Sequence, residues 1–266
     1  MKSSPVTAAI WLIAALAFLI SAAPLKETPT ATVLIIAAVI NVPIAIGAYK
    51  AKAVSVSGAV AGFFMGFAVY ALLNFNGYLV LLEFFVIGSI VSRHRIEDKI
   101  KLNVAQSNKG RRCWRHAMAN SISGVAFAYA AATHPDNALP FIAAYVGSFA
   151  AAASDTASSE LGEVYGGKPR LITTLKEVPI GTNGGVTIPG TLAGLGASFA
   201  VAAVAYAAGL IPSHTAVAVV TFAGVAGMLV DSFFGAALEN PHFVGNSTVN
   251  FLGSVAGGLI CLIILK

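Results

Sequence analysis

The residues best suited to chemistry lie between Ser154 and Gly190, in SDTASSELGEVYGGKPRLITTLKEVPIGTNGGVTIPG. If a helix continues through Gly162, then Asp155, Ser158, Ser159 and Gly162 share one face by three-and-four spacing. Glu160 points away from that face and Glu163 lies at its margin. A carboxylate beside hydroxyls and glycine suits magnesium, which takes one or two carboxylates plus substrate phosphate oxygens. Gly166-Gly167-Lys168-Pro169-Arg170 is a tight basic turn, and Thr173, Thr174 and Lys176 add hydroxyls and a cation. Gly181-Thr182-Asn183-Gly184-Gly185 precedes a helix, so its backbone amides could cradle phosphates. It is not a Walker loop, because no Gly-Lys-Ser/Thr follows it. Singly, each feature fits an ordinary polar loop. Their density points to a magnesium–nucleotide site.

Two other clusters could complete such a site. Asp231, in DSFFGAALE, could supply a second metal carboxylate, so the candidate metal ligands are Asp155 and Asp231. Asn246 and Asn250, four apart, could orient phosphate or ribose. The segment Arg93–Arg115 carries eight basic residues against two acidic ones. Lys109, Arg111 and Arg112 could hold a phosphate there, arginine in two-point fashion, with Asn120 one to two turns into the next helix. Retention of basic loops in the cytoplasm accounts for the same residues without chemistry. His94 and His116 lack ligand-spaced partners. Cys113 and Cys261 make neither a disulfide framework nor a metal set.

A membrane must position these residues. At 266 residues, 57% hydrophobic and 10% charged, the chain is too apolar for an ordinary soluble domain. Apolar runs near 7–23, 31–49, 54–73, 77–92, 116–133, 138–153, 188–210, 214–236 and 248–265 predict an all-α polytopic protein of about nine transmembrane helices in one domain. The first run lacks a strong basic leader and reads as a retained helix. With the N-terminus cytoplasmic and the C-terminus outside, 14 of the 16 Lys and Arg fall on the cytoplasmic side. That face would gather the loops at about 93–115, 154–187 and 237–247 in a cell membrane. The charge of +5 then reflects topology and anionic headgroups. The basic residues have no interleaved aromatics, which argues against nucleic acid. A homo-oligomer is compatible with the sequence.

Three stretches resemble one another: Val54–Gly62, Val186–Gly194 and Val249–Gly257, each with two glycines four apart. They read either as independent packing faces or as a repeat whose polar helix starts converge on an anion. Asn41 and Pro43 read as packing features of the second span. Glu83 is the only carboxylate deep in a span; it is either functional or structurally partnered, and stands apart from the site.

The central motif, with GRRCWRHAMAN and DSFFGAALE…NSTVN, resembles the phytyl-phosphate kinase / transmembrane-protein-19-like integral membrane family over roughly residues 50–260. It is more remotely similar to dolichol kinases, phytol kinases and CDP-lipid synthases. The resemblance implies CTP-dependent phosphorylation of an isoprenoid (phytyl or geranylgeranyl) monophosphate, with the site facing the cytoplasm. It carries roles to Asp155, Glu160, Lys168, Thr174, Lys176, Thr182, Asn183, Asp231 and Asn250. At Glu239 the resemblance leads one to expect glutamine.

Together these readings predict the following division of labour. Asp155 and Asp231 would hold magnesium on CTP, and Lys168, Arg170 and Lys176 would neutralise the transferring group. Ser158, Glu160, Thr174 and the Gly181–Gly184 turn would bind the donor. Arg111, Arg112, Asn120, Asn246 and Asn250 would address the lipid phosphate, its prenyl chain lying among glycine-rich helices. A CDP-lipid synthase needs the same charges. A transporter of a phosphorylated lipid would instead favour charges at mid-depth.

Overall fold

The computed structural model describes Thr7, Leu25 and residues 28–105, 111–241 and 243–266. The expected span at 7–23 therefore lies outside the described residues apart from Thr7, as do Lys109 and Gly110.

Helix α1 (Ala31–Lys50) starts where the Thr30 hydroxyl accepts the Val33 amide. Helix α2 (Val56–Arg93) starts at Ser55, whose hydroxyl accepts the Gly58 amide at 3.2 Å. Such caps satisfy amides that have no partner within the helix. If straight, the 38 residues of α2 would run to about 57 Å, far beyond one bilayer core. Asn74 breaks it with φ 55° and ψ −160°. The chain then turns back, because methyl groups placed at Gly58 and at Gly88 would both strike Arg112, at its carbonyl and its guanidinium respectively. The two arms of this hairpin match the expected spans 54–73 and 77–92.

Short helix α3 (Ile96–Lys101) and helix α4 (Trp114–Thr133) follow, then α5 (Ala138–Tyr165). A two-residue antiparallel pair, β1 (Arg170–Leu171) and β2 (Gly185–Val186), clasps the loop before α6 (Ile188–Ala207). Helix α7 (His214–Phe234) ends in a π-helical turn at Gly235–Glu239, and α8 (Asn246–Ile264) closes the fold. Thr187 and Ser213 cap α6 and α7 through the amides of Gly190 and Ala216, each at 3.1 Å. Since α5 runs to Tyr165, the expected polar loop at 154–187 begins only at Gly166.

Among the described residues, six helices are long and apolar enough to cross a membrane: α1, α2, α5 with its leading turn, α6, α7 with its π turn, and α8. Helix α4 has the length but is less apolar, burying Asn120, Ser121 and Ser123. The central element is α5, which packs against the α2 hairpin, α4, α6, α7 and α8. Its middle reads YVGSFAAAAS, and small side chains let neighbouring backbones approach closely. A methyl at Gly194 would meet Ser154, one at Gly224 would meet Ala150, and one at Gly257 would meet Ala151 and Gly147. The glycine pairs of α6 and α8 are therefore packing faces. Helix α1 buries only Ala37 and Asn41. Asn41 donates to the Ala37 carbonyl at 2.8 Å and accepts the Tyr78 hydroxyl at 3.1 Å, which makes it a packing polar group as expected.

Candidate active site

A cavity of about 300 Å³ opens where α5, α7 and α8 end or begin together. Helix α5 contributes Asp155, Ser158, Ser159, Gly162 and Glu163, as the helical spacing predicts. Helix α7 and its π turn add Asp231, Ser232 and Glu239, and α8 adds Asn246 and Asn250. Arg112, His116 and Asn120 come from the start of α4, and Gly181–Gly185 with Thr187 come from the clasped loop. The polar starts of α4, α6 and α8 thus converge on one place. Val54 bridges to Arg112 in the same region, with the Ser55 amide donating to the Arg112 carbonyl at 3.0 Å.

The side chains of Asp155 and Asp231 meet directly on the cavity floor. Gly253 makes the space, since a methyl there would lie 2.9 Å from the Asp231 Cβ. One Asp231 oxygen, Oδ2, is buried without a hydrogen-bond partner. Two carboxylates in contact repel unless a cation or a shared proton lies between them, and an orphaned buried oxygen is costly. Both facts fit a divalent cation. Among the described residues no group of three or more His, Cys, Asp or Glu is arranged to hold a metal without help. Magnesium fits this pattern, as it completes its shell with water and phosphate oxygens.

Glu160 differs from its sequence reading. It is buried on the cavity wall, and Lys99 of α3 donates to its Oε2 at 2.5 Å and to the Val91 carbonyl at 2.8 Å. The helical spacing points it away from the Asp155 face, yet it reaches the same cavity while its carboxylate is held by Lys99 of α3. Lys99 is fully buried, a placement the sequence did not signal, because its basic loop already had an explanation in topology. Glu239 accepts the Asn246 amide at the start of α8, where a negative charge is favoured. Arg112 is 7% exposed and its guanidinium stacks over the Phe84 ring at 5.5 Å. Burial makes it less basic, and Glu160 opposes that change. His116 lines the cavity too, with Nδ1 3.3 Å from the Cys113 sulfur; sequence spacing had set it aside.

The Gly181–Gly185 turn uses positive φ at Gly181 (83°) and Gly184 (75°), backbone that glycine adopts freely. A methyl at Gly184 would strike the Ser232 carbonyl and Ala236, so the turn lies directly on the end of α7. Asn240 ties it there by donating to the Asn183 carbonyl at 3.1 Å. Two of its amides are already committed: Thr182 bonds to the Pro179 carbonyl at 3.2 Å and Gly185 to the Thr182 carbonyl at 2.9 Å. The sequence view of a fully bare cradle is thereby narrowed.

The other predicted cations stand outside the cavity. Lys168 and Arg170 both pair with Glu177, at 3.5 and 3.7 Å, and Lys168 is 82% exposed. Lys176 and Thr174 are exposed on the same outer loop, with the Thr174 hydroxyl accepting the Lys176 amide. Arg111 is half-buried and does not line the cavity. Glu83 sits away from it in the second arm of α2, with Oε2 buried and unpartnered.

A polar cavity lined by carboxylates lies among apolar helices long enough to cross a membrane. The chain belongs to the family described as integral membrane protein DUF92, which it matches over residues 36–258. This agrees with the resemblance drawn from the motifs. An uncharacterized membrane protein of Methanocaldococcus jannaschii is 35% identical over 215 residues, covering 81% of this chain and 87% of its own. Protein VTE6, chloroplastic, of Arabidopsis thaliana is 33% identical over 215 residues, 79% of this chain and 64% of that one. Protein PGR of the same plant is 31% identical over 239 residues, 82% and 83% of the respective chains. No solved structure matches.

Proposed function

We propose that this chain is a CTP-dependent kinase that converts an isoprenoid monophosphate, phytyl or geranylgeranyl, to the diphosphate. The observation that carries the reading is the Asp155–Asp231 pair, with its unpartnered oxygen, below a glycine turn and beside a buried arginine. The motif resemblance to phytyl-phosphate kinases supports the same reaction class. Nine spans with a cytoplasmic N-terminus, the arrangement the basic residues favour, would turn the cavity to the cytoplasm of a cell membrane.

Phosphoryl transfer depends on alignment and charge neutralisation more than on a strong base. Magnesium held by Asp155 and Asp231 would neutralise the donor phosphates. The remaining amides of Gly181–Gly184, with Ser158 and Thr182, would hold them in place, and Asn246 and Asn250 would orient ribose or phosphate. Arg112 and Asn120 would hold the acceptor phosphate, one oxygen of which attacks the γ-phosphorus of CTP. The bond from that phosphorus to the β-bridging oxygen breaks, and CDP leaves with the electron pair. Lys168, Arg170 and Lys176 reach this charge only if the outer loop swings inward, exchanging Glu177 for phosphate.

The test is to incubate detergent-purified protein with magnesium, CTP and phytyl monophosphate and weigh the products. Prenyl diphosphate plus CDP, lost in Asp155→Ala, supports the kinase. Cytidylylated lipid plus pyrophosphate would move the function to CDP-lipid synthesis. Tight lipid-phosphate binding with no turnover on any nucleotide would favour a transporter.

A further inference from the structure

We infer that the apolar cleft between α1 and the α2 hairpin seats the prenyl chain of a lipid monophosphate whose phosphate rests at Arg112. The inference depends on the proposed class of substrate and assigns its chain a place. The cleft is a partly open space of about 90 Å³ walled by Ile44, Ala48, Gly62, Phe63, Leu81 and Phe85. Arg112 and His116 line both this space and the polar cavity. One buried cation therefore stands where an apolar slot meets a carboxylate-floored site. A phosphate ester with a long hydrocarbon chain has that division of charge and apolar length.

The shape of the slot adds detail. It follows the hairpin from Gly58 to Met65, about 10 Å of helix rise. Part of its wall is the Tyr78 hydroxyl donating to Asn41 at 3.1 Å. A chain longer than the slot must leave sideways past Ile44, Ala48 and Phe85, which also wall an open groove of about 410 Å³ beside Gly47 and Ile90. The substrate would enter from the bilayer through this groove and keep its distal end there. Gly62 is the gauge residue. A methyl there would have nothing within 4 Å, so a larger side chain fills the slot without disturbing the backbone. Gly196 of α6 has equally open surroundings but lies away from the slot, and provides the matched control.

The experiment measures binding of radiolabelled geranylgeranyl monophosphate and dimethylallyl monophosphate to full-length protein in phosphatidylcholine nanodiscs. Wild type is compared with Gly62→Leu, Gly62→Phe and Gly196→Phe, and thermal unfolding confirms that each variant is folded. The expected result is a graded loss of long-chain affinity, roughly tenfold or more for Gly62→Phe, equivalent to displacing about two buried methylenes. Short-chain affinity and the Gly196→Phe variant should match wild type. Equal long-chain binding by wild type and Gly62→Phe overturns the inference even where CTP-dependent transfer is intact. Displacement of the prenyl ligand by an equal concentration of phosphatidic acid also overturns it, by making the slot a general acyl site. Chain discrimination without any transfer leaves the seat standing and overturns only the kinase. A wild type that binds neither phosphate overturns both.

Discussion

The floor of the polar cavity and the outer loop that hangs beside it carry opposite charges in opposite ways. On the floor, Asp155 within α5 and Asp231 in the last turn of α7 are packed by glycines and alanines, one carboxylate against the other. On the outer loop, Lys168 and Arg170 share Glu177 in solvent at 3.5 and 3.7 Å. The rigid region holds like charges together, an arrangement that persists only where packing over-determines it. The exposed charges hold opposite partners, and pairs of that kind contribute little to stability. Acid placement is thus built into the fold, whereas the cations of the outer loop stand in solvent. Lys99 and Arg112 differ from these in being buried, Lys99 against Glu160 and Arg112 beside both cavities.

The largest expected effect tests the floor. Asp155→Asn or Asp231→Asn should lower phosphate transfer on the order of 10³-fold, the loss of several kcal/mol of charge stabilisation. Neither should lower the unfolding temperature, because each removes repulsion between the paired carboxylates. Circular-dichroism melting beside a product assay reads both. A variant that loses activity and melts early would make the pair a structural contact instead.

The second effect separates buried from exposed ion pairs. Lys99→Met takes the buried ammonium away from buried Glu160, and should destabilise by roughly 3–5 kcal/mol. Lys168→Met removes a cation from an exposed pair and should stay within about 0.5 kcal/mol. Adding Glu160→Gln to Lys99→Met should restore much of the loss. Denaturant titration of the three proteins is the measurement; equal destabilisation by Lys99→Met and Lys168→Met would erase the distinction between the two regions.

The third effect belongs to the loop alone. Lys168→Ala with Arg170→Ala should reduce kcat/KM for the nucleotide by roughly 10–100-fold, as loss of charge stabilisation does when a transferring group is contacted. The unfolding temperature should not move. If these cations meet the donor from solvent, as proposed, wild-type kcat/KM should fall as salt rises, and the double variant should respond less. Identical salt profiles would place the two cations outside the reaction.

How much of this was legible in the sequence follows the same division. The periodicity of α5 placed Asp155, Ser158, Ser159 and Gly162 on one face, and the structure brings them to one wall. Apolar runs located the long helices among the described residues, including both arms that meet at Asn74, but not short α3 or the end of α5. Contacts between distant segments were not legible. Nothing in IEDKIK indicated that Lys99 would be buried against Glu160, since a basic loop is already accounted for by membrane topology. Lys168, Arg170, Thr174 and Lys176 share the motif with Asp155, but adjacency in a motif does not fix side-chain direction. The β1–β2 clasp turns the stretch between Lys168 and Glu177 outward.

The smallest expected effect lies at the seam between floor and loop. Glu239 ends the π turn, accepts the Asn246 amide and lines the cavity wall with Asp231. The motif resemblance leads one to expect glutamine here, and Glu239→Gln keeps an acceptor for that amide while removing the charge. Loss of the charge relieves repulsion with Asp155 in a partly buried place and should not lower stability. It also removes a negative neighbour of Asp155 and Asp231, so magnesium should bind less tightly, by roughly two- to fivefold, or about 0.4–1 kcal/mol. Titrating transfer against magnesium at saturating CTP is the measurement. A rise in half-saturating magnesium with unchanged maximal rate places Glu239 beside the floor as a supporting charge. A fall in maximal rate at every magnesium concentration would make it a third member of the floor, and the region of fixed like charges would then extend across the π turn.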